Sequence, residues 1–129
     1  MRRIVIYIAS PYTHPEPAIR EARYRAVSQK TADMLRNGVS VFSPIVYSHA
    51  LAALGLPSAW PFWRTFDRTI IAICSEVWVL MLPGWKESVG VQAEILIAKE
   101  LRKPISFIKA WPSSDPTPAT RARAGAVGL

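Results

Sequence analysis

Residues 77–101 read VWVLMLPGWKESVGVQAEILIAKEL, and this stretch decides the fold. Val77 to Leu82 is an unbroken apolar run, the pattern of a strand buried on both faces. Pro83 and Gly84 stop it. Ser88 then stands at an N-cap position, and Val89, Ala93, Leu96 and Ile97 recur at helical spacing. The reading is strand, loop, helix. Gly90 falls in the first helical turn, where a missing side chain admits a ligand close to the backbone. Glu94 follows one turn later, on a helix whose N-terminus favours anions. A carboxylate so placed lies at the carboxyl end of a sheet, where open α/β folds bind ligands.

Working outward, Ile4 to Ala9 (IVIYIA) is apolar and β-branched and predicts a second central parallel strand. Ser10, Pro11, Tyr12, Thr13, His14 and Pro15 form the loop at its carboxyl end, facing the same crevice as Ser88 and Glu94. Tyr7 reads equally as core packing or as a site residue. His14 reads as a loop residue, since no partner ligands stand at metal-like spacing.

Pro17 to Asn37 predicts a helix with Ile19, Ala22, Ala26, Met34 and Leu35 inward, stopped by Asn37-Gly38. Arg20, Arg23 and Arg25 read as its solvated face. Val39 to Ser43 is a strand ended by Pro44. Residues 45–55 read as a loop with room for a short helix, in which His49 reads as a satisfied structural histidine. Ser58 to Cys74 predicts a long helix, with Ser58 as N-cap and Pro61 in the first turn. Trp60, Phe62, Trp63 and Phe66 crowd its start, more aromatic mass than a small monomer leaves in water, so a homodimer or larger assembly is expected. Asp67 reads either as a solvated residue or as a carboxylate aimed into a site. Ile105 to Ile108 is the last strand. Strands alternating with helices predict a small, doubly wound, Rossmann- or flavodoxin-like α/β sheet of four or five parallel strands over residues 1–110. Residues 111–129, rich in Pro, Ser, Ala and Gly, read as a flexible tail unless Trp111 anchors it.

Length and composition bound the function. The 129 residues fit one domain. A lone cysteine, Cys74, forms no internal disulfide and suits a cytoplasmic setting. The apolar run after Arg2-Arg3 is too short for a signal peptide, and no stretch is long enough to span a membrane. The net charge of +7 attracts polyanions, but the basic residues are scattered and no zinc-finger or RNA-binding pattern is present. An anionic small ligand is therefore favoured over nucleic acid. No cofactor and no metal are expected.

Four pieces resemble the nucleoside 2-deoxyribosyltransferase-like superfamily: Tyr7-Ile8-Ala9-Ser10-Pro11, Asp67, Ser88-Val-Gly90-Val-Gln-Ala-Glu94, and Ile97-Ala98-Lys-Glu-Leu-Arg-Lys103-Pro104-Ile105. The body, residues 1 to about 110, is also similar to a short bacterial family catalogued as domain of unknown function 1937. The superfamily resemblance implies that Glu94 attacks C1′ of a nucleoside or nucleotide, that Asp67 supports leaving-group chemistry, and that Tyr7 touches the nucleophile. It further implies that Ser10, Pro11, Tyr12, Ser88, Val89 and Gly90 bind the substrate. The transferases carry an aspartate where this chain has Ser88, so the likeness there shifts to 5′-monophosphate N-glycosidases. A serine hydroxyl and free N–H groups would accept a phosphate. The loop after the first strand lacks the arginine that some of those glycosidases carry. The leading expectation is an N-glycosidase or deoxyribosyltransferase acting through a glycosyl-Glu94 intermediate. The alternatives are a non-catalytic nucleotide or nucleotide-sugar sensor and a basic nucleic-acid-associated protein, the last recognisable by steep salt dependence.

Overall fold

The computed structural model describes residues 3–110; the expected tail and Trp111 lie outside the described residues. Four strands, β1 (Val5–Ala9), β2 (Ser40–Phe42), β3 (Glu76–Leu80) and β4 (Ile105–Ile108), form one all-parallel sheet in the order β2-β1-β3-β4. Four helices connect or flank them: α1 (Pro17–Arg36), α2 (Pro44–Ala52), α3 (Trp60–Ile73) and α4 (Val89–Glu100). The two longest apolar runs are thus neighbours at the centre, with Tyr7 opposite Val77 and Ala9 opposite Val79. Every residue of β3 is buried, as a strand covered on both faces requires.

The strand alternation divides the core in two. Tyr7, Ala9, Val77 and Val79 point to one face and meet Ile71 of α3 and Val91, Ile95 and Ala98 of α4. Ile6, Ile8, Trp78 and Leu80 point to the other and meet Val27 and Met34 of α1. Each such aliphatic side chain contributes roughly 1.5–3 kcal/mol when fully buried, so a one-residue register slip would exchange the two cores at a cost of many such terms. The chain leaves β1 towards β2 on one side and returns to β3 on the other. The switch point therefore lies between β1 and β3, above Ala9 and Leu80.

Helix starts follow local chemistry. Proline occupies the first turn of α1, α2 and α3, where its missing N–H costs nothing. Ser43 caps α2 by accepting from Val46 N–H at 3.1 Å, and Ser88 caps α4 by accepting from Val91 N–H at 3.2 Å. Ser58 is not a cap: α3 begins after Ala59, with no side-chain acceptor.

Several inward faces differ from expectation. On α1 the buried residues are Val27, Lys30 and Met34, whereas Leu35 and Ala22 are exposed. On α4, Val91, Glu94, Ile95, Ile97 and Ala98 are buried, whereas Val89 and Leu96 face water. Arg20 and Arg23 are not a solvated face. Arg20 donates to His14 O, and Arg23 donates to Tyr12 O, Thr13 O and Pro83 O, tying together the loops after β1 and β3. Gly84, at φ 90°, leaves that guanidinium its space. No helix among the described residues is long and apolar enough to cross a membrane.

Candidate active site

A cleft of about 380 Å³ opens at the switch point. Ser10 and Tyr12 enter it from the loop after β1, Asp67 from α3, and Ser88, Val89, Gly90 and Glu94 from the start of α4. Tyr7 is fully buried on β1 and reaches the cleft's carboxyls through its hydroxyl. Pro11 is fully buried and does not line the cleft, so a substrate-contacting role for it is not supported.

Burial makes the carboxyls unusual. Glu94 is 4 % exposed and Asp67 5 % exposed, yet among the described residues neither has a cationic partner. The Tyr7 hydroxyl donates to Glu94 Oε2 and lies near enough to the Asp67 carboxyl for each to perturb the other's titration. Asp67 Oδ1 itself has no hydrogen-bond partner. Loss of hydration pushes Asp67 up to about 7, with the Tyr7 hydroxyl opposing in part. Loss of hydration, then the nearby Asp67, raises Glu94 well above the ordinary carboxylate range, against the Tyr7 bond. Burial, reinforced by both carboxyls, holds Tyr7 protonated far above its usual value. One phenolic hydrogen thus lies near two carboxyls and can be donated to only one at a time. The trio favours states in which the carboxyls share a proton over states with two bare charges. Two separated roles, a proton donor and a nucleophile, are what such a pair supplies.

The walls differ in character. Trp60, Pro61 and Trp63 give the cleft a flat apolar side that the sequence pointed to only as aromatic crowding. Ser10, Tyr12 and Thr13 give it a polar side, and Ser10 Oγ is buried without a hydrogen-bond partner. Glu87 adds a third carboxylate beside the capping Ser88, and among the described residues no Lys or Arg side chain lines the cleft. Gly90 is not demanded by packing, since a Cβ there would meet Trp60 only at 3.8 Å. Its missing side chain widens the cleft instead. Arg68 donates to Glu100 at 2.8 Å and pins α3 to α4, the two helices that carry Asp67 and Glu94. Among the described residues, no group of three or more His, Cys, Asp and Glu side chains is placed to hold a metal ion.

Comparison with known proteins adds one match. The model of a family described as a domain of unknown function, DUF1937, matches residues 3–110, and the chain belongs to that family. No curated protein matches the chain.

Proposed function

We propose that this DUF1937 protein cleaves the N-glycosidic bond of a nucleoside, as a hydrolase or a deoxyribosyltransferase, through a glycosyl ester on Glu94. The observation that carries the reading is the pair of buried carboxyls, Asp67 and Glu94, that line one cleft, with the buried Tyr7 hydroxyl bonded to Glu94. The resemblance of Tyr7, Asp67 and the Ser88–Glu94 stretch to the nucleoside 2-deoxyribosyltransferase-like superfamily supports the same roles.

In the first half-reaction Glu94, ionised, attacks C1′ as the C1′–N bond breaks. The bonding pair leaves with the base nitrogen, which takes the proton of Asp67. Glu94 has then lost its charge and Asp67 has gained one, so the Tyr7 hydrogen is free to turn to Asp67. In the second half, water or another base attacks C1′, its proton passes to Asp67, and Glu94 departs as carboxylate. Tyr7 follows the negative charge and stabilises it by hydrogen bonding in a buried site.

The lining favours a neutral sugar over a phosphomonoester. A phosphate at Ser88 would lie near Glu87, and among the described residues no cationic side chain lines the cleft to neutralise it. The Ser88 hydroxyl already accepts from Val91 N–H, leaving its hydrogen for a ligand oxygen. Trp60 and Trp63 offer the stacking wall a base needs. The test is incubation with 2′-deoxynucleosides and their 5′-monophosphates, with chromatography for released base and a second base added to capture transfer. Base release from nucleosides, several-fold faster than from monophosphates, is expected. Binding without release from any of them would leave the nucleotide-sensor reading in its place.

Self-association belongs to the same proposal. Trp60, Trp63 and Phe66 are partly covered, and Phe42, Tyr47, Phe66, Trp63 and Phe62 form a chain of ring contacts within the fold. Phe62 nevertheless stays 49 % exposed and Ile73 74 % exposed on α3. Light scattering at micromolar concentration should return a dimer mass or more, and a monomer mass would remove the claim.

A further inference from the structure

We propose that Tyr12, His49 and Glu21 form a relay that presents Tyr12 to the cleft as a hydrogen-bond acceptor, reading a donor hydroxyl on the ligand's sugar. The relay stands on its own geometry; the assignment to a sugar rests on the glycosidic reading above.

Tyr12 is 9 % exposed and lines the cleft. Its hydroxyl lies 2.8 Å from His49 Nδ1, and His49 Nε2 lies 3.1 Å from Glu21 Oε2. Tyr24 stacks on the imidazole at 3.8 Å, with the ring planes 14° apart, and fixes its plane. A carboxylate only accepts, so the ring hydrogen sits on Nε2. In the neutral ring Nδ1 is then bare, and it accepts the Tyr12 hydrogen. Burial keeps Tyr12 a phenol rather than a phenolate, with Arg20 opposing and Glu21 reinforcing. The hydrogen of Tyr12 therefore points away from the cleft and only its lone pairs remain for a ligand. A ligand carbonyl or ether would find no donor there, whereas a ligand hydroxyl would find an acceptor. Tyr12 and Ser10 line the cleft from the loop after β1, and the sugar is the hydroxyl-bearing part of a nucleoside, so the hydroxyl is assigned to the sugar.

Two measurements test this on the full chain. In ¹⁵N NMR, with the other histidine removed by His14→Gln for assignment, His49 should be the Nε2–H tautomer, and Tyr12→Phe should shift its Nδ1 signal. The second compares 2′-deoxyadenosine with its analogues lacking the 3′- or the 5′-hydroxyl. Loss of one of these hydroxyls should lower kcat/KM about tenfold in the wild type, the worth of one hydrogen bond. That penalty should shrink to within about threefold in Tyr12→Phe and in His49→Phe, where the Tyr12 hydrogen can swing towards the ligand. An Nδ1–H tautomer, or a hydroxyl penalty unchanged by Tyr12→Phe, overturns the relay. If no base is released, the same probes are compared by calorimetric affinity: a Tyr12-dependent penalty there overturns only the glycosidic reading. Absence of binding to all three probes overturns the sugar assignment as well.

Discussion

Glu94→Ala should abolish base release, by at least about 10⁴-fold, while the protein still folds and still binds the nucleoside that the wild type cleaves best. A helix-surface glutamate would not behave so, and the environment argues against that description. Glu94 is 4 % exposed, among Val91, Ile95 and Ala98 of the core, and its side chain accepts from the Tyr7 hydroxyl. Burying a carboxylate without a cation opposes folding, so a neutral replacement relieves a cost as well as removing a contact. Glu94→Gln sharpens the test. The amide oxygen can still accept from Tyr7, so its stability at pH 8 should equal or exceed the wild type in urea titrations. The amide is no nucleophile, so release should stay absent. A Glu94→Ala enzyme that releases base at the wild-type rate would remove the covalent mechanism.

How much of this was legible in the sequence depends on distance along the chain. The central strands announced themselves through the runs IVIYIA and VWVLML, because a strand buried on both faces has no polar positions to confuse the pattern. Ser88 announced the start of α4 because capping is a contact three residues long. The inward faces of α1 and α4 were harder. Lys30 is buried and Leu35 is 55 % exposed, so hydrophobicity misassigns part of the α1 face. On α4 the inward face includes a charged residue, Glu94, while Leu96 looks outward, so the apolar pattern is blurred where the chemistry is. The Ser43-Pro44 pair that starts α2 is also a strand-ending signal, so it marks the end of β2 as readily as the start of a helix. Arg20 and Arg23 matched a solvated stripe because their partners are loop carbonyls, which sequence spacing does not reveal. The Tyr12–His49 contact spans 37 positions and joins two different loop and helix segments; nothing local encodes it. The acidic lining has in part the same origin, since Asp67 of α3 meets Glu94 of α4, and Glu87 just before it, only through the packing of α3 against α4.

Asp67→Asn should produce opposite effects on activity and stability, with the stability effect depending on pH. Asp67 in the unfolded chain titrates near the ordinary value of about 4. In the folded protein its burial pushes it up to about 7. The folded state therefore holds the proton more tightly, and stability falls as pH rises. The favourable contribution is complete below about pH 4, is lost progressively between about 4 and 7, and is flat above that. Three units correspond to about 4 kcal/mol of lost stability at pH 8. An asparagine carries no charge and escapes that loss, but leaves a buried amide incompletely bonded where Asp67 Oδ1 already lacks a partner, at a cost of about 1–3 kcal/mol. Urea denaturation should thus find Asp67→Asn more stable than the wild type by about 1–3 kcal/mol at pH 8, with the advantage shrinking or reversing at pH 5. Base release should fall by about 10²–10⁴-fold, because the leaving base no longer receives a proton. The wild-type rate should itself decline above pH 7 as Asp67 deprotonates, and the residual rate of the variant should lack that decline. A variant equally destabilised at both pH values would mean that Asp67 is an ionised structural residue. A variant with full activity would transfer the proton-donor role elsewhere in the cleft. The stability gained at pH 8 by removing Asp67 measures the cost of holding an ionised carboxyl in a buried site beside Glu94, and the proposed proton transfer gives that cost a use.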